Sequence, residues 1–334
     1  MAEHHQDFSR PRTLREYLRL FFTGMAMGAA DSVPGVSGGT IAFITGIYET
    51  LIDAIKSFNA TSIRLALTFK IKAFLDYIPI RFLIALGSGV LIAFFLFANV
   101  ITGILDNPTG EILLFAFFFG LVLASVLTIG IQVKWGLVQV AMLILGTVVA
   151  FIIVNGVPAE GSHDALTIFL SGMIAICAMI LPGISGAFIL LILGQYDYVL
   201  SQVSARNFEP IIILGIGCAV GIIIFSRVLS WTLKRYYFAT VAALVGFMVG
   251  SLWKIWPWKT CIEEGLDRHG ETRCLIEGNL LPNFASSEFV LALLLMLAGF
   301  LLVNFIDHLQ TGKNPIFGLF WRRRVVTEQQ SATM

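Results

Sequence analysis

Sorted by apolar and polar positions alone, the chain falls into long uncharged stretches separated by short polar ones. The stretches are 82–103, 112–131, 136–154, 166–196, 211–226, 238–253 and 289–306, and a further stretch, 21–48, is interrupted only by Asp31. A helix crossing the hydrocarbon layer needs about 20 residues, with about 17 the lower limit. Stretches 21–48 and 166–196 exceed one span, and each has a helix breaker at its centre, Pro34-Gly35 and Pro182-Gly183. These two are expected to be re-entrant hairpins of half-helices, and the other six to cross fully. The predicted fold class is an all-α polytopic membrane protein.

The pattern also repeats. Phe21-Phe-Thr-Gly-Met25 matches Phe169-Leu-Ser-Gly-Met173, and Val33-Pro-Gly-Val-Ser-Gly38 matches Leu181-Pro-Gly-Ile-Ser-Gly186 at the same offset of 148. Ile41, Gly46 and Tyr48 match Ile189, Gly194 and Tyr196, and Leu86-Gly-Ser-Gly89 matches Leu214-Gly-Ile-Gly217 after a gap. Each half is thus one re-entrant hairpin plus three spans. Three is odd, so the second half must be inverted relative to the first. The units are a cytoplasmic amphipathic segment 1–20, a first inverted repeat 21–155, a second 166–306 with its loop 254–288, and a cytoplasmic tail 307–334. Thr13-Leu-Arg-Glu16 fits a capping box at the start of the amphipathic segment.

Lys and Arg set the orientation. With both termini inside, 16 of the 22 Lys and Arg fall on the inner side, five on the outer side, and Arg227 alone within a span. Four of the five outer ones sit in loop 254–288. Both termini are therefore expected in the cytoplasm. The first 20 residues hold four arginines and no apolar core, so no cleavable signal is expected.

Composition agrees. Mean hydropathy is +0.86 and 13% of residues are charged, against about 25% in soluble domains. A net charge of +1 gives no electrostatic case for nucleic-acid binding. Cys261 and Cys274 lie 13 residues apart in the outer loop, where a disulfide is plausible. No Cys/His spacing fits a metal site.

The candidate chemistry gathers at the two breaks. Proline ends a helix, and the following half-helix starts with unpaired N–H groups at its positive end. In Asp31-Ser-Val-Pro-Gly-Val-Ser-Gly-Gly-Thr40, the first helix should stop near Ser32 and the next begin near Ser37. Gly35, Ser37, Gly38, Gly39 and Thr40 would then form an anion site, with Gly183, Ser185 and Gly186 offering the same from the opposite side. Two such helix ends meeting near the midplane could hold one phosphate; the bland alternative is a pair of proline kinks that permit close packing.

Asp31 is ionisable at membrane depth, which marks a coupling site, a cap or a latch. Arg227 is a phosphate ligand or an arginine snorkelling to the cytoplasmic face. Tyr48-Glu49 and Tyr196-Asp197 sit at matched hairpin exits, as gates or as interfacial tyrosines beside solvated acids. No catalytic nucleophile–base pair stands out, and no histidine lies near the serines of the breaks. No cofactor is implied beyond a coupling proton or sodium ion.

The stretch Gly24–Thr40 with Ile47-Tyr-Glu49, and Leu181-Pro-Gly-Ile-Ser-Gly-Ala187 with Gly194-Gln-Tyr-Asp197, resemble the bacterial polyprenyl-phosphate transporter (PopT) family over roughly residues 13 to 310. The resemblance implies a flippase in the bacterial cytoplasmic membrane that returns undecaprenyl phosphate from the outer to the inner leaflet for reuse in peptidoglycan synthesis. It places family motif positions on Asp31, Pro34, Gly35, Ser37, Gly38, Gly39, Thr40 and Glu49, and on Pro182, Gly183, Ser185 and Gly186. The implied partners are that lipid and the surrounding membrane, and a homodimer is compatible with it. Two alternatives stay open: a secondary transporter of a small soluble anion, and an intramembrane lipid-phosphate enzyme.

Overall fold

The computed structural model describes residues 10–33, 35–156, 161–266 and 272–311. Helix α1 (Leu14–Asp31) opens with the predicted capping box, Thr13 Oγ1 accepting from the Glu16 amide. It runs unbroken into the first hairpin, so the amphipathic turn and the first hairpin arm are one element. After the break come α2 (Gly38–Ile44) and α3 (Tyr48–Lys56). Two short helices follow, α4 (Ala60–Leu67) and α5 (Ile71–Tyr77), then the spans α6 (Ile80–Leu105), α7 (Pro108–Gln132) and α8 (Leu137–Val154).

The second half has the same order without counterparts of α4 and α5. It comprises α9 (Ala165–Ile180), α10 (Gly186–Ile192), α11 (Tyr196–Ser204), α12 (Phe208–Arg235), α13 (Tyr237–Ser251) and α14 (Ser287–Thr311). An antiparallel hairpin, β1 (Lys259–Leu266) and β2 (Thr272–Asn279), precedes α14 and carries the Cys261–Cys274 disulfide. The hairpin is the one departure from helix among the described residues.

Five of these helices, α6, α7, α8, α12 and α14, are long and apolar enough to cross a membrane, and the chain is a multi-pass membrane protein. The sequence pattern predicted six full crossings. The sixth, α13, has only 15 residues, about 22 Å of helix at 1.5 Å per residue. It stops at Ser251, where the Trp253–Trp258 turn begins. In the second half α10 and α11 meet at 101°.

The repeat is written into the helix contacts. Helices in a membrane approach closely where small residues face each other. A Cβ on Gly24 would meet the Leu86 carbonyl, and one on Gly89 the Phe21 carbonyl; in the second half Gly172 meets Leu214 and Gly217 meets Phe169 at the matching positions. Likewise Gly120 and Gly299 join α7 to α14 through Met296 and Phe117, while Gly246 and Gly146 join α13 to α8 through Leu143 and Ala243. So α1 pairs with α6 as α9 does with α12, and α7 with α14 as α13 does with α8. Within each pair the contacts advance in the same order. Thr109, Gly120 and Thr128 of α7 meet Glu288, Met296 and Asn304 of α14, so the partners run parallel.

α7 is the most enclosed of the spans. Phe115 and Phe118 of its Phe-rich run point into the core, whereas Phe94 and Phe95 of α6 are exposed.

Candidate functional site

Each break behaves as its residues dictate. The turn after the proline needs a positive φ, and glycine supplies it: Gly35 has φ +81 and Gly183 φ +88. Gly46 and Gly194 repeat this at the hairpin exits, between α2 and α3 and between α10 and α11, with φ +70 and +66. α1 ends at Asp31 and α2 begins at Gly38 with Ser37 as its cap, as the motif predicts. Pro34 lies outside the described residues.

The two breaks touch, and the contact is made by side chains of the first loop on backbone of the second. Thr40 Oγ1 accepts from the Gly183 amide at 3.0 Å. Tyr48 Oη donates to the Ile180 carbonyl at 3.1 Å. Ser37 Oγ accepts from the Gly39 amide at 3.1 Å and faces the Met179 and Leu181 carbonyls at 3.5 and 3.4 Å. All three side chains are buried, Thr40 completely. Asp31 Oδ1 accepts from the Gly38 amide at 2.6 Å. The positive end of α2 is therefore capped by the chain's own carboxylate, and Asp31 is a latch between the two arms of its hairpin.

The second loop does not return these contacts. Met179 stands where Asp31 would, Ala187 where Gly39 would and Phe188 where Thr40 would. Ser185 makes no cap bond to α10, and Tyr196 is exposed where Tyr48 is buried. Gly38, Gly39 and Gly186 are buried, Gly38 against Met27 and Asp31 of α1 and Gly186 against Ala175 and Met179 of α9. A Cβ on Gly39 would press on the Ile180 carbonyl at 2.9 Å. Glu49 and Asp197 fall in the first turns of α3 and α11, where a carboxylate suits the helix dipole.

Arg227 is not at the loop contact. Its Nη1 donates to Ile223 O at 2.9 Å, one turn back on α12, and Nη2 to Phe58 O at 3.4 Å. Near it, Asp53 binds Lys234 at 2.8 Å and accepts from Ser230 at 2.8 Å.

A different cation reaches the first loop. A Cβ on Gly35 would lie 3.1 Å from Lys254 Cγ, so that side chain crosses the turn. Gly183 rests in the same way on Met248 and Ser251. The end of α13 and the residues after it are thus the common platform for both breaks. Lys254 and Lys259 each donate to one oxygen of Glu277, at 3.0 and 2.9 Å. Lys254 lies over the Phe188 ring at 4.9 Å and Lys259 over the Phe115 ring at 4.2 Å.

Burial lowers the pKa of Lys259 below its usual value, with the Lys254 charge adding to the effect against the attraction of Glu277. Burial alone would raise Glu277, but the two ammoniums outweigh it and hold the carboxyl below its usual range. Burial is thus what moves Lys259 down, and the two ammoniums are what move Glu277 down. The sequence carried a signal for this cluster: these lysines are two of the four positive charges in loop 254–288, the loop expected outside, where such charges are usually few.

Among the described residues no group of His, Cys, Asp and Glu could hold a metal ion. A profile of the VCA0040-like family, described as undecaprenyl phosphate translocase-like, matches residues 27–273. The chain is 41% identical over 294 residues to a polyprenyl-phosphate transporter of Vibrio cholerae, covering 86% of this chain and 95% of that one. It is 34% identical over 257 residues to a polyprenyl-phosphate transporter of Staphylococcus aureus, covering 70% and 84%. No solved structure matches it.

Proposed function

The chain belongs to the undecaprenyl phosphate translocase-like family, and from that premise we propose that this transporter carries undecaprenyl phosphate from the outer to the inner leaflet of the bacterial cytoplasmic membrane. The family match over most of the chain carries this reading. It also sets aside the lipid-phosphate enzyme, because the family and both relatives are named for translocation or transport.

The architecture supports it physically. In the repeat α7 corresponds to α13, yet α13 runs parallel to α8, the span that follows α7. Consecutive spans joined by the short 133–136 link cross in opposite senses, so equivalent helices of the two halves point in opposite directions. That supports inverted repeats with the two breaks as re-entrant hairpins meeting between them, the arrangement in which alternating access is built. The Lys and Arg distribution supports cytoplasmic termini and an outer side for the β-hairpin.

A polyprenyl phosphate presents a doubly anionic head on an apolar tail. The head needs a polar path and the tail can stay in lipid. The closed contact between Thr40 and Gly183 is then one end state of the cycle, in which the path between the halves is shut. The test is clearance of undecaprenyl phosphate from the outer leaflet of proteoliposomes. Protein-dependent clearance is expected; a lipid that stays put in the presence of folded protein overturns the reading.

A further inference from the structure

The structure describes an apolar groove of about 520 Å³ beside the half-buried lysines. Its walls include Phe119 of α7, Phe151 of α8, Trp253 and Trp256 of the turn after α13, and Leu280 and Leu281 beyond the β-hairpin. Phe119 and Phe115 share a face of α7, one turn or about 6 Å apart along the helix. Phe119 lines the groove and Phe115 carries the Lys259 ammonium. Asn279 lines the groove too, and pairs with Lys259 in the hairpin register. The apolar trough and the cationic pair are therefore adjoining parts of one surface.

The cation pair is held in an unusual way. Two ammoniums, 11% and 22% exposed, share one oxygen of a carboxylate that is itself 33% exposed. Glu111, in the first turn of α7, is the other acid within electrostatic reach. Burying lysines is costly unless they are paired, and a single shared oxygen pairs them incompletely. A phosphate monoester carries about −1.5 to −2 charge and three acceptor oxygens. It would give each ammonium its own oxygen. Because Glu277 is the most exposed of the three groups, an incoming anion can take its place without unpacking the lysines.

We propose that Lys254 and Lys259 form the entry site for the lipid, with the phosphate displacing Glu277 and the first isoprene units lying in the adjoining groove. The inference rests on the transport reading above and adds to it the place where the lipid is received. The hairpin, tied by Cys261–Cys274, supplies both Lys259 and Glu277, so the lysine and the carboxylate that competes for it move together. From there Lys254 reaches the first break: its stem lies on Gly35 and its ammonium over Phe188 of the second half. The entry site thus abuts the junction that must open for the headgroup to pass.

The test is a titration of the full chain in nanodiscs with farnesyl phosphate, read by the fluorescence of Trp253 and Trp256. Wild type should bind. Lys254→Met and Lys259→Met should each weaken binding about tenfold or more, the loss of a charge-assisted pair to phosphate. Glu277→Gln should tighten it, because the internal competitor loses its charge. Farnesol and inorganic phosphate should each bind more weakly than farnesyl phosphate.

The opposite signs separate a binding site from a structural pin, since breaking a pin from either side would weaken or unfold. Should one lysine variant fail to fold, Glu277→Gln and the other lysine still decide. Wild-type binding that the lysine variants leave unchanged overturns this site while the transport reading stands. A Glu277→Gln variant that binds as poorly as the lysine variants overturns it as well. Inorganic phosphate binding as tightly as farnesyl phosphate overturns the lipid as occupant. No binding by folded wild type overturns the site, and the clearance assay above then decides the transport reading by itself.

Discussion

Thr40→Val isolates one of the bonds that join the two breaks. Valine keeps the shape of threonine and removes its hydroxyl, so the Gly183 amide loses its acceptor in a place where Thr40 is 0% exposed. An orphaned buried donor costs about 1–3 kcal/mol. Gly183 cannot turn its amide elsewhere cheaply, because it is fixed at φ +88 against Met248 and Ser251. The ratio of joined to parted loops should fall by about 5- to 150-fold. Hydrogen exchange of the amides of Leu181 and residues 183–186 in nanodiscs reads that ratio directly, since protection drops by the same factor when closing outpaces exchange. Thr40→Ser keeps the acceptor and should stay near wild type. Tyr48→Phe removes a donor from the Ile180 carbonyl and should cost about 1 kcal/mol, a typical net hydrogen-bond contribution. Unchanged protection in Thr40→Val, or equal damage from Thr40→Ser, would refute the claim that this bond holds the loops together.

Two further outcomes follow from packing and from charge. Gly120→Ala and Gly246→Ala push a methyl group into matching carbonyls, of Met296 and Leu143, and should each lower stability by about 1–3 kcal/mol, the usual cost of overpacking; thermal unfolding in detergent checks this, and damage at only one of the two would break the equivalence of the halves. Asp164 caps α9 and its carboxyl is held well below the usual range by Ser162, Thr167 and the Leu166 amide. A depressed folded pKa stabilises above the unfolded value and is lost as pH falls through the folded one, so Asp164→Asn should narrow the difference in melting temperature between neutral pH and about pH 3.

The hairpins and spans could be read from the chain because their causes are local. Apolar length names a span, and Pro-Gly in the middle of such a length names a break; α1 ends within one residue of the expected place and α2 begins beside it. The duplication was visible too, since Gly35 and Gly183 stand 148 residues apart and need the same φ. What the sequence concealed depends on tertiary partners. Arg227 was the obvious cation because it sits alone in an apolar run, yet it bonds to the carbonyl one turn back. Lys254 was lost among loop charges, because nothing local says that its stem crosses Gly35. The β-hairpin was hidden because charged residues and the glycines Gly265 and Gly278 interrupt its strands, and its Cys261–Cys274 tie could be guessed only from loop placement. Helices α4 and α5 were likewise folded into a polar connection by their Arg64, Lys70 and Lys72.

The two halves share a backbone plan and differ in the side chains at the break, and the difference has a consequence for the cycle. If the proposed inverted repeats alternate access by rocking one half against the other, each break would take the other's role in the opposite end state. In the exchanged state the partner of the Thr40 bond would be made by position 188 to the Gly35 amide, and Phe188 has no acceptor. The exchanged state therefore lacks its lock, and the described state is favoured by about the value of one buried hydrogen bond. Phe188→Thr should restore the missing acceptor and raise the exchanged population, whereas Phe188→Leu removes the ring without adding one. Position 187 reports the change, because Ala187 is exposed while its counterpart Gly39 is buried. Thiol labelling of Ala187→Cys should slow in the Phe188→Thr background and stay unchanged with Phe188→Leu. If both backgrounds label alike, the loss of the Lys254–Phe188 contact explains the effect, and the bias between states does not arise from the Thr40 bond.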